Sequence, residues 1–165
     1  ERIESHWVAK KGQANNDEII AWVFTPVWRN AGKTPTVRAV SNLNSWVGIG
    51  VDPLASDFDF PDYANGSRNF IGPNATMHAS PFKVTIENLQ KIRAGEGHAY
   101  VWGWFDYDDI FGDTLRHRAE FCMELKVTGN PTFKEGGFAY EMFGPFNGTD
   151  ADCSRQPTPW SGGNL

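Results

Sequence analysis

The sequence predicts a mainly β fold, an antiparallel sandwich with one short helix, and three observations lead there. Runs rich in β-branched and aromatic residues occupy 19–29, 36–48 and 98–127. Glycine and proline, 17 and 10 of the 165 residues, punctuate the chain too closely for long helices. Only one segment, about 85–94, carries a helical period. The length suits a single domain with a sizeable core.

Residues 1–18 are polar apart from Ile3, Trp7 and Val8, and read as a leader or a short first strand. The sandwich itself is expected over 19–146. Within the first run, IIAWVFTPVWR, Pro26 cannot donate to a ladder and marks an edge, a bulge or a bend. Asn30 to Pro35 is a turn by chemistry. The second run, 36–48, alternates imperfectly, which predicts a bulge near Ser41-Asn42. Residues 50–80 are the least regular part, broken at Asp52-Pro53, Phe60-Pro61, Asn65-Gly66 and Gly72-Pro73. A loop of that length in a compact domain is functional or mobile. A short strand at Phe82–Val84 leads into the helix, with Thr85 as cap, Glu87 near its positive end and Gly95 as its stop. Its apolar face, Ile86, Leu89 and Ile92, must lie on the sheet. A last strand is expected near Phe138–Phe143, and 147–165 reads as a loosely ordered tail.

The stretch 98–127 reads as a long hairpin. With Phe111-Gly112 as central turn residues, Trp102 faces Phe121, Trp104 faces Ala119 and Asp106 faces His117. That register gathers large apolar groups on one side and places Arg116 and Arg118 over Phe105 and Tyr107 on the other. A slip of one residue pairs Trp102 with Cys122 and Trp104 with Glu120, and mixes the faces.

The net charge of −5, with no basic run longer than Lys10-Lys11, argues against nucleic acid or anionic lipid as a main partner. No apolar segment is long enough to cross a bilayer. The chain starts at Glu1 without a methionine, so an anchor preceding it is one expectation. Cys122 and Cys153, the only two cysteines, fit one disulfide or two thiols equally well.

Candidate sites are sparse. Asp57, Asp59 and Asp62 offer oxygen ligands for a hard cation, but lack the spacing of a calcium loop, and a solvated acidic loop is the preferred reading. Asp106 and His117 have the chemistry of a carboxylate orienting an imidazole. No nucleophile elbow or metal spacing accompanies them, so they are expected as a structural cross-strand pair. The sequons at Asn65, Asn74 and Asn147 read as turn chemistry. No catalytic, metal or cofactor site is therefore assigned.

Two segments carry a family resemblance: Trp28-Arg29-Asn30-Ala31-Gly32-Lys33-Thr34-Pro35, and Gly103 to Gly112 (GWFDYDDIFG) followed by Arg118-Ala119-Glu120-Phe121-Cys122, with the helix ending Ile92-Arg93-Ala94-Gly95 between them. Over roughly 19–127 the chain resembles a group of uncharacterised bacterial proteins that carry an N-terminal transmembrane segment before a soluble immunoglobulin-like domain. The resemblance implies an immunoglobulin-like sandwich outside the cytoplasm, in the periplasm or cell envelope, tethered to the membrane. The expected function is non-enzymatic: a binding or structural module with a protein or glycan partner at the envelope and no cofactor. Two alternatives stand beside it. One is a metal-dependent hydrolase built from His78, Asp106, His117 and the acids near 57–62. The other is a carbohydrate-binding module, which requires a row of exposed aromatic rings.

Overall fold

The computed structural model describes residues 2–10, 18–63, 66–111 and 113–160. Strands β1 (Arg2–Lys10), β2 (Glu18–Arg29), β3 (Val37–Ile49), β4 (Ser67–Asn69), β5 (Thr76–His78) and β6 (Phe82–Thr85) precede the helix α1 (Ile86–Arg93). Strands β7 (Gly97–Asp108), β8 (His117–Val127), β9 (Phe138–Met142) and β10 (Gly148–Thr149) follow it, before a 3-10 turn at Asp150–Asp152. Among the described residues they form two antiparallel sheets. In the first, β2 lies between β1 and the short strands β5 and β6; in the second, β8, β7 and β3 form the centre, with β4, β9 and β10 at the margins.

The two sheets share one apolar core. Trp22, Phe24 and Trp28 of β2 meet Val101 and Phe105 of β7 and Phe121 and Leu125 of β8. Trp28 lies 5.5 Å from Phe105 and 5.3 Å from Phe121, ring centre to ring centre, within the range where aromatic pairs attract. Helix α1 bridges the sheets, carrying the chain from β6 to β7. The Thr85 hydroxyl accepts from the Asn88 amide at 3.3 Å, Leu89 is fully buried, and Gly95 turns away at φ 79°, as its sequence predicts.

Several expectations shift. Of the two readings of the N-terminal stretch, residues 2–10 take the strand, paired along β2. Pro26 sits inside β2, where the neighbour changes from β6, ending at Phe24, to β5, starting at Val27, so its missing N–H falls in a break. The irregularity in β3 lies between Val37 and Val40, at Arg38 with φ 48°, and not at Ser41-Asn42. Residues 147–160 are fastened to the second sheet rather than loose: Gly148 and Thr149 pair with Glu120 and Ala119.

The largest correction concerns the hairpin. Trp102 lies opposite Cys122, Trp104 opposite Glu120 and Asp106 opposite Arg118, while His117 faces Tyr107. This is the one-residue slip that apolar patterning disfavours. Its cause is that both faces of β7 are buried. Val101, Phe105 and Phe121 point into the core; Tyr100, Trp102 and Cys122 point outward, where Phe60, Leu54, Phe143 and Phe146 cover them. With two buried faces, alternation cannot choose the register. The connection also exceeds a two-residue turn, running over 109–116, and Gly112 of the expected turn lies outside the described residues.

Candidate functional site

At one end of the sandwich the sheets part around a cleft of about 550 Å³. One wall is the end of β2 with the segment to β3, bringing Trp28, Asn30, Pro35 and Thr36; the other is Phe105, Tyr107, His117 and Ala119 of β7 and β8 with Asp109 just past the end of β7. Apart from Thr36 and His117, these wall residues fall in the sequence segments 28–35, 103–112 and 118–122. The first wall is rigid because Asn30 braces it. Its amide nitrogen donates to the Thr34 carbonyl at 2.7 Å and the Ile71 carbonyl at 3.1 Å, and its oxygen accepts from the Gly32 amide at 2.9 Å. The Ile71 amide donates to the Thr36 hydroxyl at 2.9 Å, closing the floor.

The opposite wall carries the titratable groups. The His117 ring stacks on Tyr107 at 5.0 Å. Its Nδ1 is 3.1 Å from the Asp150 carboxylate and its Nε2 is 3.5 Å from Asp109. Asp150 adopts φ 51° and also accepts the Arg118 amide at 3.1 Å. Asp109 accepts from the Thr114 hydroxyl at 2.6 Å and the Phe111 amide at 2.8 Å. The Thr114 bond, chiefly, holds the Asp109 carboxyl below the usual range. Burial pushes the Tyr107 phenol up, helped by the negative charges of Asp150 and Asp109. Both ring nitrogens of His117 thus face carboxylates, and among the described residues no serine or cysteine bonds to it.

The outer face of the second sheet holds a different cluster. Asp106 is fully buried, 3.4 Å from the Arg118 guanidinium, which also lies 3.8 Å from Glu120 and 4.7 Å from the Trp104 ring centre. These groups clasp the C-terminal segment. Asp106 accepts the Thr158 amide at 2.7 Å, Arg118 donates to the Gln156 carbonyl, and Glu120 accepts the Ser154 amide. Burial, chiefly, raises the Asp106 carboxyl above its ordinary range, against the opposing pull of the Thr158 N–H and Arg118. A shallow recess of about 440 Å³ remains between Trp104, Arg68 and Trp160.

The residues singled out in the sequence do not gather. Asp59 pairs with Arg155, and Asp62 accepts the Trp104 indole at 3.0 Å. Among the described residues no group of three His, Cys, Asp or Glu side chains is arranged to hold a metal. Asp106 and His117 belong to separate clusters, because the register points them to opposite faces of the sheet. His78 is bonded to Glu4 at 3.0 Å, on the first sheet. Cys122 and Cys153 are both free thiols rather than a disulfide. Burial pushes the Cys122 thiol up to about 12 and Cys153 up to about 11, so neither is an activated nucleophile. Trp22, Trp28, Trp102 and Trp104 are buried and Trp46 is half-buried, so these five rings present no exposed row of the kind a carbohydrate platform needs. Of the polar groups that shape the cleft, Asn30 and Asp109 carry a local signal, each accepting the amide two residues on as in an Asx turn, whereas Asp150, which reaches His117 from behind the lining, carries none.

Comparison with known proteins gives no match to a family model, a curated protein or a solved structure. Among the described residues, no helix is long and apolar enough to cross a membrane.

Proposed function

We propose that the chain is a non-enzymatic binding module of the immunoglobulin-like kind, and that its ligand enters the end cleft. The observation that carries this reading is the cleft itself. Apolar walls from Trp28, Ile71, Phe105 and Ala119 meet a rim of fixed polar groups at Asn30, Asp109 and His117. Its volume of about 550 Å³ lies within the roughly 300–1,000 Å³ of ligand pockets. Asn30 and Asp109 are locked by hydrogen bonds, so the site needs little ordering on binding. His117 is tied by two carboxylates and, among the described residues, bonds to no serine or cysteine, which favours recognition over catalysis.

A fragment screen followed by amide chemical shifts tests this. The expected result is fragments whose shifts centre on Asn30, Thr36, Tyr107 and His117. These shifts disappear in Ala31→Trp, which places a bulky ring at the exposed rim. Shifts centred elsewhere, or unaffected by that variant, would overturn the reading. The setting that goes with it is the outer side of a bacterial membrane, with the chain tethered and a protein or glycan as partner. The family resemblance supports that setting. Protease protection of the native gene product in spheroplasts tests it, with cleavage by added protease expected and full protection contradicting it.

A further inference from the structure

We propose that the tip of the β7–β8 hairpin is a docking knob for a protein partner that presents an apolar socket rimmed by lysine or arginine. Ile110, Phe111 and Leu115 stand at the tip with 55%, 59% and 88% of their surfaces exposed. Three large apolar side chains on one short connection are costly to leave in water, and such clusters mark interaction sites more often than chance placement.

The tip is held ready. Asp109 accepts the Phe111 amide and the Thr114 hydroxyl, and the Thr114 amide donates back to the Phe111 carbonyl at 3.4 Å. The frame below is equally tied, with Asp108 bonded to Arg38 at 2.7 Å and to Arg116 at 3.2 Å. A preformed apolar tip loses less entropy on docking than one that must order first.

Charge chooses between occupants. Asp108, Asp109 and Asp113 flank the apolar residues; Asp108 is held by Arg38 and Arg116 and Asp109 by His117, which leaves Asp113 as the carboxylate open to a partner. Asp113 is exposed and has no ion pair among the described residues. A lysine or arginine at the rim of a socket complements that carboxylate, whereas an anionic lipid headgroup does not. The tip is independent of the cleft reading, since its apolar side chains are not among the cleft's walls.

The test uses the full chain in the cells that make it, with a photo-crosslinking amino acid at position 115 and a control at exposed position 135. The expected result is one protein joined from 115 and not from 135, through a peptide that contains lysine or arginine. With that protein purified, Phe111→Ser weakens binding by about thirtyfold, as loss of a hot-spot side chain does. Added salt weakens wild-type binding, and Asp113→Asn reduces that salt dependence. Phe111 is exposed, and an unchanged urea midpoint for Phe111→Ser confirms the fold is intact. The proposal is overturned if position 115 gives no specific adduct, or if Phe111→Ser leaves binding unchanged. Phe111-dependent sedimentation with phosphatidylcholine–phosphatidylserine vesicles would assign the tip to a membrane instead. Phe111-dependent self-association in analytical ultracentrifugation would assign it to a second copy.

Discussion

The two faces of β7 and β8 are made from the same strands and solve opposite problems. Odd-numbered residues, Val101, Phe105, Phe121 and Leu125, face the first sheet and form an apolar core. Even-numbered residues, Tyr100, Trp102, Trp104, Asp106, Arg118 and Glu120, face outward, yet all are buried. They are covered by the 50–63 loop and the 143–160 segment, fixed by directional bonds: Trp102 to the Pro61 carbonyl at 2.9 Å, Asp106 to the Thr158 amide at 2.7 Å. The core holds the fold by area removed from water; the outer layer holds irregular chain in place by satisfying polar groups. The contrast implies that the outer layer can be released without melting the core.

The contrast can be attacked at four points, in falling order of effect. Phe24→Ala empties a fully buried site between the sheets, and its cost is expected to be about 3–5 kcal/mol. Urea unfolding followed by tryptophan fluorescence should shift as one transition, since the core is shared. A loss below about 1 kcal/mol would mean the sheets are not held by this core.

Cys122 reports on the outer layer. Its thiol, pushed up to about 12 by burial, leaves little thiolate at pH 8. Native alkylation should be on the order of a thousandfold slower than in urea. Fast labelling in the native protein would show that the covering chain stands open.

Asp106 gives a pH signature. Its native carboxyl is raised by burial, so the folded state holds the proton more tightly than the unfolded chain. Its contribution to stability is therefore full below the ordinary carboxylate value near 4 and is lost as pH rises through the raised native value. Asp106→Asn removes that loss, and its stability relative to wild type should improve as pH goes from about 4 to 7. The opposite trend in urea titrations would show that the ionised pair with Arg118 outweighs burial.

Arg155→Ala removes the bond from the C-terminal segment to Asp59 and the Phe60 carbonyl. The pair is partly exposed, so a cost under about 1 kcal/mol is expected in thermal unfolding. A larger loss would make this clasp part of the core.

The sequence made the inner half of this molecule legible. Runs at 19–29 and 36–48, the helix with Thr85 and Gly95, and the strand character of 98–127 all follow from local chemistry and period. The outer half was not legible, because it depends on chain far away in sequence. Nothing near Trp102 announces that Phe60 and Phe143 will cover it, so its face looked like a choice between core and solvent. That hidden third layer is why apolar alternation places the hairpin register one residue off and sets Asp106 against His117 rather than Arg118. The cleft was hidden for the same reason: Asn30 and His117 lie 87 positions apart and meet only across two sheets.

Hydrogen exchange on Arg118→Ala tests the separation of the two layers most directly. Removing the guanidinium leaves Asp106 and Glu120 buried without their cation and frees the Gln156 carbonyl. The account predicts that the amides of Ser154 and Thr158 lose protection while those of β2 and the β3–β7 ladder keep theirs. Loss of protection in both layers together, or in neither, would contradict it.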